Sequence, residues 1–236
     1  MIPKTRFWTH TEVTEDQNGF GIALDGRPLK TPTQRMLNLP NAALAKLVAD
    51  EWDAVEDAID PAKLPATRMT NSAIDTVSVR RNEVLDMLAG YATNDLLCYW
   101  ADGPDGLVGL QKTHWQPVLD WVAGQYNLCV ATTVGIMPIA QDERLREAIY
   151  LEMNHLSDFA IAGLHDVIVL SGSAFLTMAW LNKYRSTDAV WTASRVDAAW
   201  QISQWGEDED EARLVAQKRG EFTFAAKYCT LASGSA

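Results

Sequence analysis

The chain has 236 residues, 47% of them apolar and 22% charged, the balance of a soluble globular protein with a sizeable core. Twenty basic against 31 acidic side chains leave a net charge of −11, which argues against nucleic acid or an anionic membrane as the main partner and favours a basic or apolar one. Cys98, Cys129 and Cys229 lie far apart with no CxxC pair, so no disulfide framework or structural zinc site is expected, and all three read as small buried groups in a reducing compartment.

Met1-Ile2-Pro3-Lys4-Thr5-Arg6 shows neither an apolar signal core nor an Arg/Ser-rich transit segment, so a cytoplasmic location is expected. A strand is expected over 6–13, ended by a Gln17-Asn18-Gly19 turn. A second covers 20–24. Asp25-Gly26 then marks a hairpin, because glycine takes positive φ without steric cost, and a third strand leaves from Arg27. Met36-Leu37-Asn38-Leu39 reads as a fourth, stopped by Pro40.

From Asn41, a candidate N-cap, the period becomes helical, with Leu44, Leu47, Val48, Trp52 and Val55 on one stripe. Pro61 and Pro65 interrupt the chain, and a helix is expected from about Thr70 to Tyr91. The Ala101–Gly106 loop is followed by helices near 107–126, 142–162, 165–182, 187–204 and 208–228, with Ala162-Gly163-Leu164 as a tight turn and Thr187-Asp188 as a cap. The apolar run 167–181 falls short of the roughly 18–20 residues that span a bilayer, so it reads as a buried central helix. Ser233-Gly234-Ser235-Ala236 reads as a frayed tail. Strands and helices are segregated, which predicts an α+β fold: a small β-rich N-terminal domain with one helix, residues 1–62, packed on a larger all-helical C-terminal domain, residues 63–236.

No catalytic or cofactor-binding motif is found. No GxxxxGK[ST] or GxGxxG loop offers a phosphate cradle, so no nucleotide is expected to bind. Ser171-Gly172-Ser173 lies inside the apolar run and reads as small residues that let two helices approach closely. His155 and Asp158, with His165-Asp166 across the Ala162-Gly163-Leu164 turn, form the single grouping with metal-ligand character, but a helix surface with a hydrogen-bonded histidine is much the commoner arrangement and is the expected one. No GxSxG elbow or cysteine–histidine frame supplies a nucleophile.

Two features stand out instead. Nine tryptophans, at 8, 52, 100, 115, 121, 180, 191, 200 and 205, are well above the ordinary frequency; most read as core, and a few exposed ones would mark a surface for another protein. Directly after Trp205-Gly206 come five acids, Glu207-Asp208-Glu209-Asp210-Glu211. The positive end of a helix dipole explains one or two of them, and five together also suit a cationic partner surface.

Six strings, LDGRPLKTP (24–32), ADEWDAVEDAIDPAKLPATRMTNSAIDTV (49–77), YATNDLLCYWADGPDGL (91–107), WQPVLDW (115–121), GIMPIAQ (135–141) and WQISQWGEDEDEA (200–212), together resemble the F1-ATPase assembly chaperones of the assembly-factor-2 type. The resemblance implies a two-part fold and a non-enzymatic function: shielding the subunit-contact surface of the free ATP synthase alpha subunit until the beta subunit displaces the chaperone. It implies that Glu209, or in a shifted register Glu207 or Glu211, occupies an acidic family position tied to chaperone action just after Trp205-Gly206. Trp52, Arg68 and Asp95 match family positions of structural character. Eukaryotic members carry a presequence, so this chain reads as a bacterial member. The competing readings are a general holdase for exposed apolar surface and a metal-dependent hydrolase on His155, Asp158, His165 and Asp166.

Overall fold

A computed structural model describes residues 5–17 and 19–234; Met1–Lys4, Asn18 of the expected turn, and Ser235-Ala236 of the expected tail lie outside them. Strands β1 (Thr11–Asp16), β2 (Gly19–Leu24) and β3 (Arg27–Pro28) form an antiparallel sheet in that order. Asp25 and Gly26 close the second hairpin with φ of 46° and 75°. The first strand starts at Thr11 rather than Arg6. Arg6 is bonded elsewhere: its backbone N–H donates to the Asp57 carbonyl, and its guanidinium to the carbonyls of Trp8, Asp53 and Val55. The expected fourth strand reduces to single bridges, Lys30 to Met36 and Phe20 to Leu39. Gly19 is required there, because a Cβ on it would meet the Leu39 carbonyl oxygen at 2.6 Å.

Asn41 caps α1 (Ala42–Asp53) through a 2.9 Å hydrogen bond from Leu44 N–H, and Leu44 and Val48 turn into the core under the sheet. The helix expected over 70–91 divides into α2 (Pro65–Ser72), a π-helical turn at Ala73–Val77 and α3 (Arg81–Gly90). It begins earlier because Pro65, which has no N–H to leave unpaired and a φ already set for a helix, suits the first helical position. At the π turn the Thr31 and Thr33 hydroxyls hold Asp75 at 2.8 and 2.6 Å, while Ser78 Oγ donates to the Ile74 carbonyl.

Strand β4 (Tyr99–Trp100) precedes α4 (Asp105–Tyr126), which ends on Asn127 in the left-handed region, and pairs in parallel with β5 (Thr133–Val134). Then come α5 (Glu143–Met153), α6 (Asp158–Ser171), α7 (Ala174–Leu181), α8 (Thr187–Ser194), α9 (Val196–Trp205) and α10 (Glu209–Ala232). The breaks fall at 154–157 and at Gly172-Ser173, not at Ala162-Gly163-Leu164, which lies buried inside α6. Capping chemistry decides this. Ser157 Oγ accepts from Ala160 N–H and Ser173 Oγ from Leu176 N–H, whereas nothing near Gly163 offers the first turn a cap. Likewise Ser186, rather than Thr187-Asp188, caps α8.

Two compact units divide the chain. The first holds residues through Arg81, Leu156–Gly163 and the end from Ala226; the second holds Asn82–His155 and Leu164–Ala225. Within the first, Trp8, Leu24, Val55 and Leu64 form a buried cluster against which Leu29, Trp52 and Ile59 pack. Within the second, α7 buries Phe175, Leu176, Met178 and Ala179 completely against α4 and α8, so the apolar run supplies two helices of a protein core. No helix among the described residues is long and apolar enough to cross a membrane. A small antiparallel sheet near the start of the chain and a larger, mainly helical remainder that carries the two-residue strands β4 and β5 make the fold α+β.

Candidate partner-binding surface

Eight of the nine tryptophans are buried or half-buried. Trp115 donates from Nε1 to the Ala193 carbonyl at 2.8 Å, and Trp121 stacks on Tyr184 with ring centroids 5.4 Å apart. Trp205 is the exception, at 84% exposure. It ends α9, where Gly206, at φ 86°, stops the helix and turns the chain toward α10. The ring therefore projects from the corner between two helices, with no described aromatic partner.

The acids that follow divide their tasks. Asp208 is the N-cap of α10, its Oδ1 accepting from Asp210 and Glu211 N–H at 3.0 Å each. Asp210 forms an ion pair with Arg213. Glu207, Glu209 and Glu211 are exposed and form no ion pair among the described residues, so they carry uncompensated negative charge beside Trp205. Helix-dipole stabilisation accounts for acids in this first turn. The arrangement also suits a partner with an apolar slot for the ring and basic groups around it.

Trp52 and Asp95 stand in the interior framework, whereas Arg68 is exposed. Trp52 Nε1 donates to Thr67 Oγ1 at 3.0 Å, and its ring lies 5.2 Å from that of Trp8. Its neighbour Glu51 caps α2 from a distance, accepting from Ala66 N–H at 2.5 Å and from Thr67 N–H and Oγ1 at 2.9 Å. Desolvation raises the Glu51 pKa, while these hydrogen bonds and the charge of exposed Arg68 act against the rise. Asp95 has no exposed surface. It accepts from Ser173 Oγ at 2.7 Å, from Phe175 N–H at 3.0 Å and from Leu97 N–H at 3.1 Å, and so braces the first turn of α7. Burial pushes its pKa up to about 6 despite those donors.

Three of the four residues with metal-ligand character are paired elsewhere or with each other. Asp158 pairs with Arg81, His165 Nδ1 lies 2.8 Å from the adjacent Asp166, and His155 is exposed in the turn after α5. Among the described residues no three His, Cys, Asp or Glu side chains converge as a metal site. An open cleft of about 820 Å³ in the first unit is lined by Asp50, Glu56, Asp57, Asp60 and Lys63 around Leu47 and Val55. Asp60 there caps a short 3₁₀ turn and Asp50 pairs with Lys46.

Sequence reasoning overlooked a second exposed apolar feature, the loop after β5, where Ile136 is 92% and Met137 72% exposed. The signal was present: residues 121–141 contain no Asp, Glu, Lys, Arg or His.

The family model described as ATP12 chaperone protein matches residues 5–123. The mitochondrial protein atp12 of Schizosaccharomyces pombe is 24% identical over 218 residues, spanning 87% of this chain and 75% of that protein. Two solved structures of Atp12 from Paracoccus denitrificans, one of a point mutant, superpose with a TM-score of 0.89 at 34% identity over 97% of this chain and 97% or 98% of theirs. A candidate chaperone from Agrobacterium tumefaciens superposes with a TM-score of 0.90 at 33% identity, over 97% of this chain and 85% of that one.

Proposed function

The chain belongs to the ATP12 chaperone family, F1-ATPase assembly factors rather than enzymes, and we propose that its client is the free alpha subunit of the ATP synthase head. An unassembled head subunit exposes the apolar surface that its neighbours will later cover, and such a patch is an aggregation liability. The chaperone covers that surface and yields it to the beta subunit. Hand-over needs no nucleotide: a stronger beta contact displaces the chaperone by mass action. Cytoplasmic assembly of a bacterial ATP synthase is the setting this reading implies.

The observation that carries the reading is Trp205, exposed at the α9–α10 corner beside Glu207, Glu209 and Glu211. A large amphipathic ring ringed by unpaired acids is costly to leave in water and well suited to a partner contact. The test is to purify the protein with alpha and beta subunits of one organism, each expressed alone. A one-to-one complex with alpha, none with beta, and its dissolution on adding beta are expected. Equal capture of beta or of unrelated unfolded proteins would replace this reading with that of a general holdase.

A further inference from the structure

We propose that the loop Val134-Gly135-Ile136-Met137-Pro138 is a second client contact, seating its apolar tip against the apolar subunit-contact surface of the unassembled alpha subunit; this rests on the reading above.

The loop is anchored at its base. Parallel pairing sets Tyr99 opposite Thr133 and Trp100 opposite Val134, and Gly135 N–H donates to the Trp100 carbonyl at 2.8 Å. The Gln141 side chain ties the returning segment to Ala131, accepting from its N–H at 3.0 Å and donating to its carbonyl at 2.7 Å. Gly135 takes φ 86°, a conformation that turns the chain outward at the end of β5. Val134, at the end of this pairing, is 62% exposed, and Ile136 and Met137 beyond it are 92% and 72% exposed. A backbone held this way presents its apolar residues already ordered, so binding loses little conformational entropy.

The chemistry of the surroundings selects the occupant. Residues 121–141 lack any basic or acidic side chain, in a chain that is 22% charged, so the loop offers nothing to an ionic surface. An anionic bilayer would also meet a protein of net charge −11. A stable second copy needs about 800 Å² from each chain, whereas three side chains of this size expose on the order of 400 Å². The patch suits one element of a larger, releasable interface with an apolar protein surface, which is what an unassembled head subunit displays.

The test compares Ile136→Ser/Met137→Ser with Ile136→Leu/Met137→Leu in alpha-subunit co-purification and titration, with thermal midpoint and gel-filtration size measured on each. Alpha binding weakened by roughly ten-fold or more in the serine variant, kept in the leucine variant, with unchanged midpoints, is the expected result. Serine-variant binding equal to that of the unaltered protein overturns the loop contact and leaves the alpha-subunit reading standing. A loss confined to self-association assigns the loop to a second copy and overturns it too. If the unaltered protein binds no alpha subunit, the functional reading and the loop contact both fall.

Discussion

The Ser173 hydroxyl donates a 2.7 Å hydrogen bond to Asp95, a carboxylate with no exposed surface that lies 78 residues earlier in the chain. Ser173 Oγ at the same time accepts from Leu176 N–H, so one side chain caps α7 and the other braces the cap. The Asp95 pKa, pushed up to about 6 by burial, stands above its ordinary 3.8, so the folded protein holds this proton more tightly than the unfolded chain. The stabilising contribution is fully present below pH 3.8 and is lost as pH rises through about 6. Asp95→Asn cannot titrate. The stability of the unaltered protein relative to this variant should therefore fall by about 2 kcal/mol between pH 4 and pH 7. Chemical denaturation of both across that range reads the difference directly, and a flat difference would remove the proton from Asp95.

Trp52→Phe should lower stability by about 1–2 kcal/mol, since it deletes the 3.0 Å hydrogen bond to Thr67 and part of the contact with Trp8. Thr67 keeps its bond to Glu51, which limits the damage. Alpha-subunit affinity should be unchanged, because the ring serves the interior of the first unit. A shifted denaturation midpoint with unaltered co-purification is the signature.

Gly106 faces the Trp200 ring so closely that a Cβ would stand 2.5 Å from it. Gly106→Ala should displace that ring and loosen α9 against α4, at a cost of about 1–3 kcal/mol. Because α9 ends in Trp205, alpha binding should weaken along with stability, in contrast to Trp52→Phe. Thermal melting and co-purification of the two variants side by side separate a change in the binding corner from a general loss of fold.

Glu209→Lys and Trp205→Ala should each weaken alpha binding by roughly ten-fold or more. Neither should move the melting midpoint far: Trp205 is 84% exposed, and reversing a charge in a helix's first turn costs under about 1 kcal/mol. The Lys variant places a cation where a cationic partner is expected, so its binding defect should shrink as salt is raised. Unchanged affinity in both would return the acids to the role of helix-dipole partners.

Local chemistry was enough to read several elements from the sequence. The Asp25-Gly26 hairpin, the Asn41 cap of α1 and the buried character of 167–181 each follow from residues close together in the chain. Where competing signals met, the stretch with a side-chain acceptor for the first-turn N–H groups won. That is why Ser157 and Ser173, and not Gly163, set the limits of α6 and α7. Relationships over long separations were closed to sequence reasoning. Nothing near Pro65 announces that Glu51 will cap α2, and nothing near Ser173 that Asp95 will meet it, because a cap supplied by another segment leaves no local pattern. The same holds for the candidate surface. Sequence alone established nine tryptophans, an acidic run and an uncharged stretch. Only the tertiary structure decided that eight of the rings are taken up by packing while Trp205 and Ile136 face water, since exposure depends on which surfaces the rest of the chain covers.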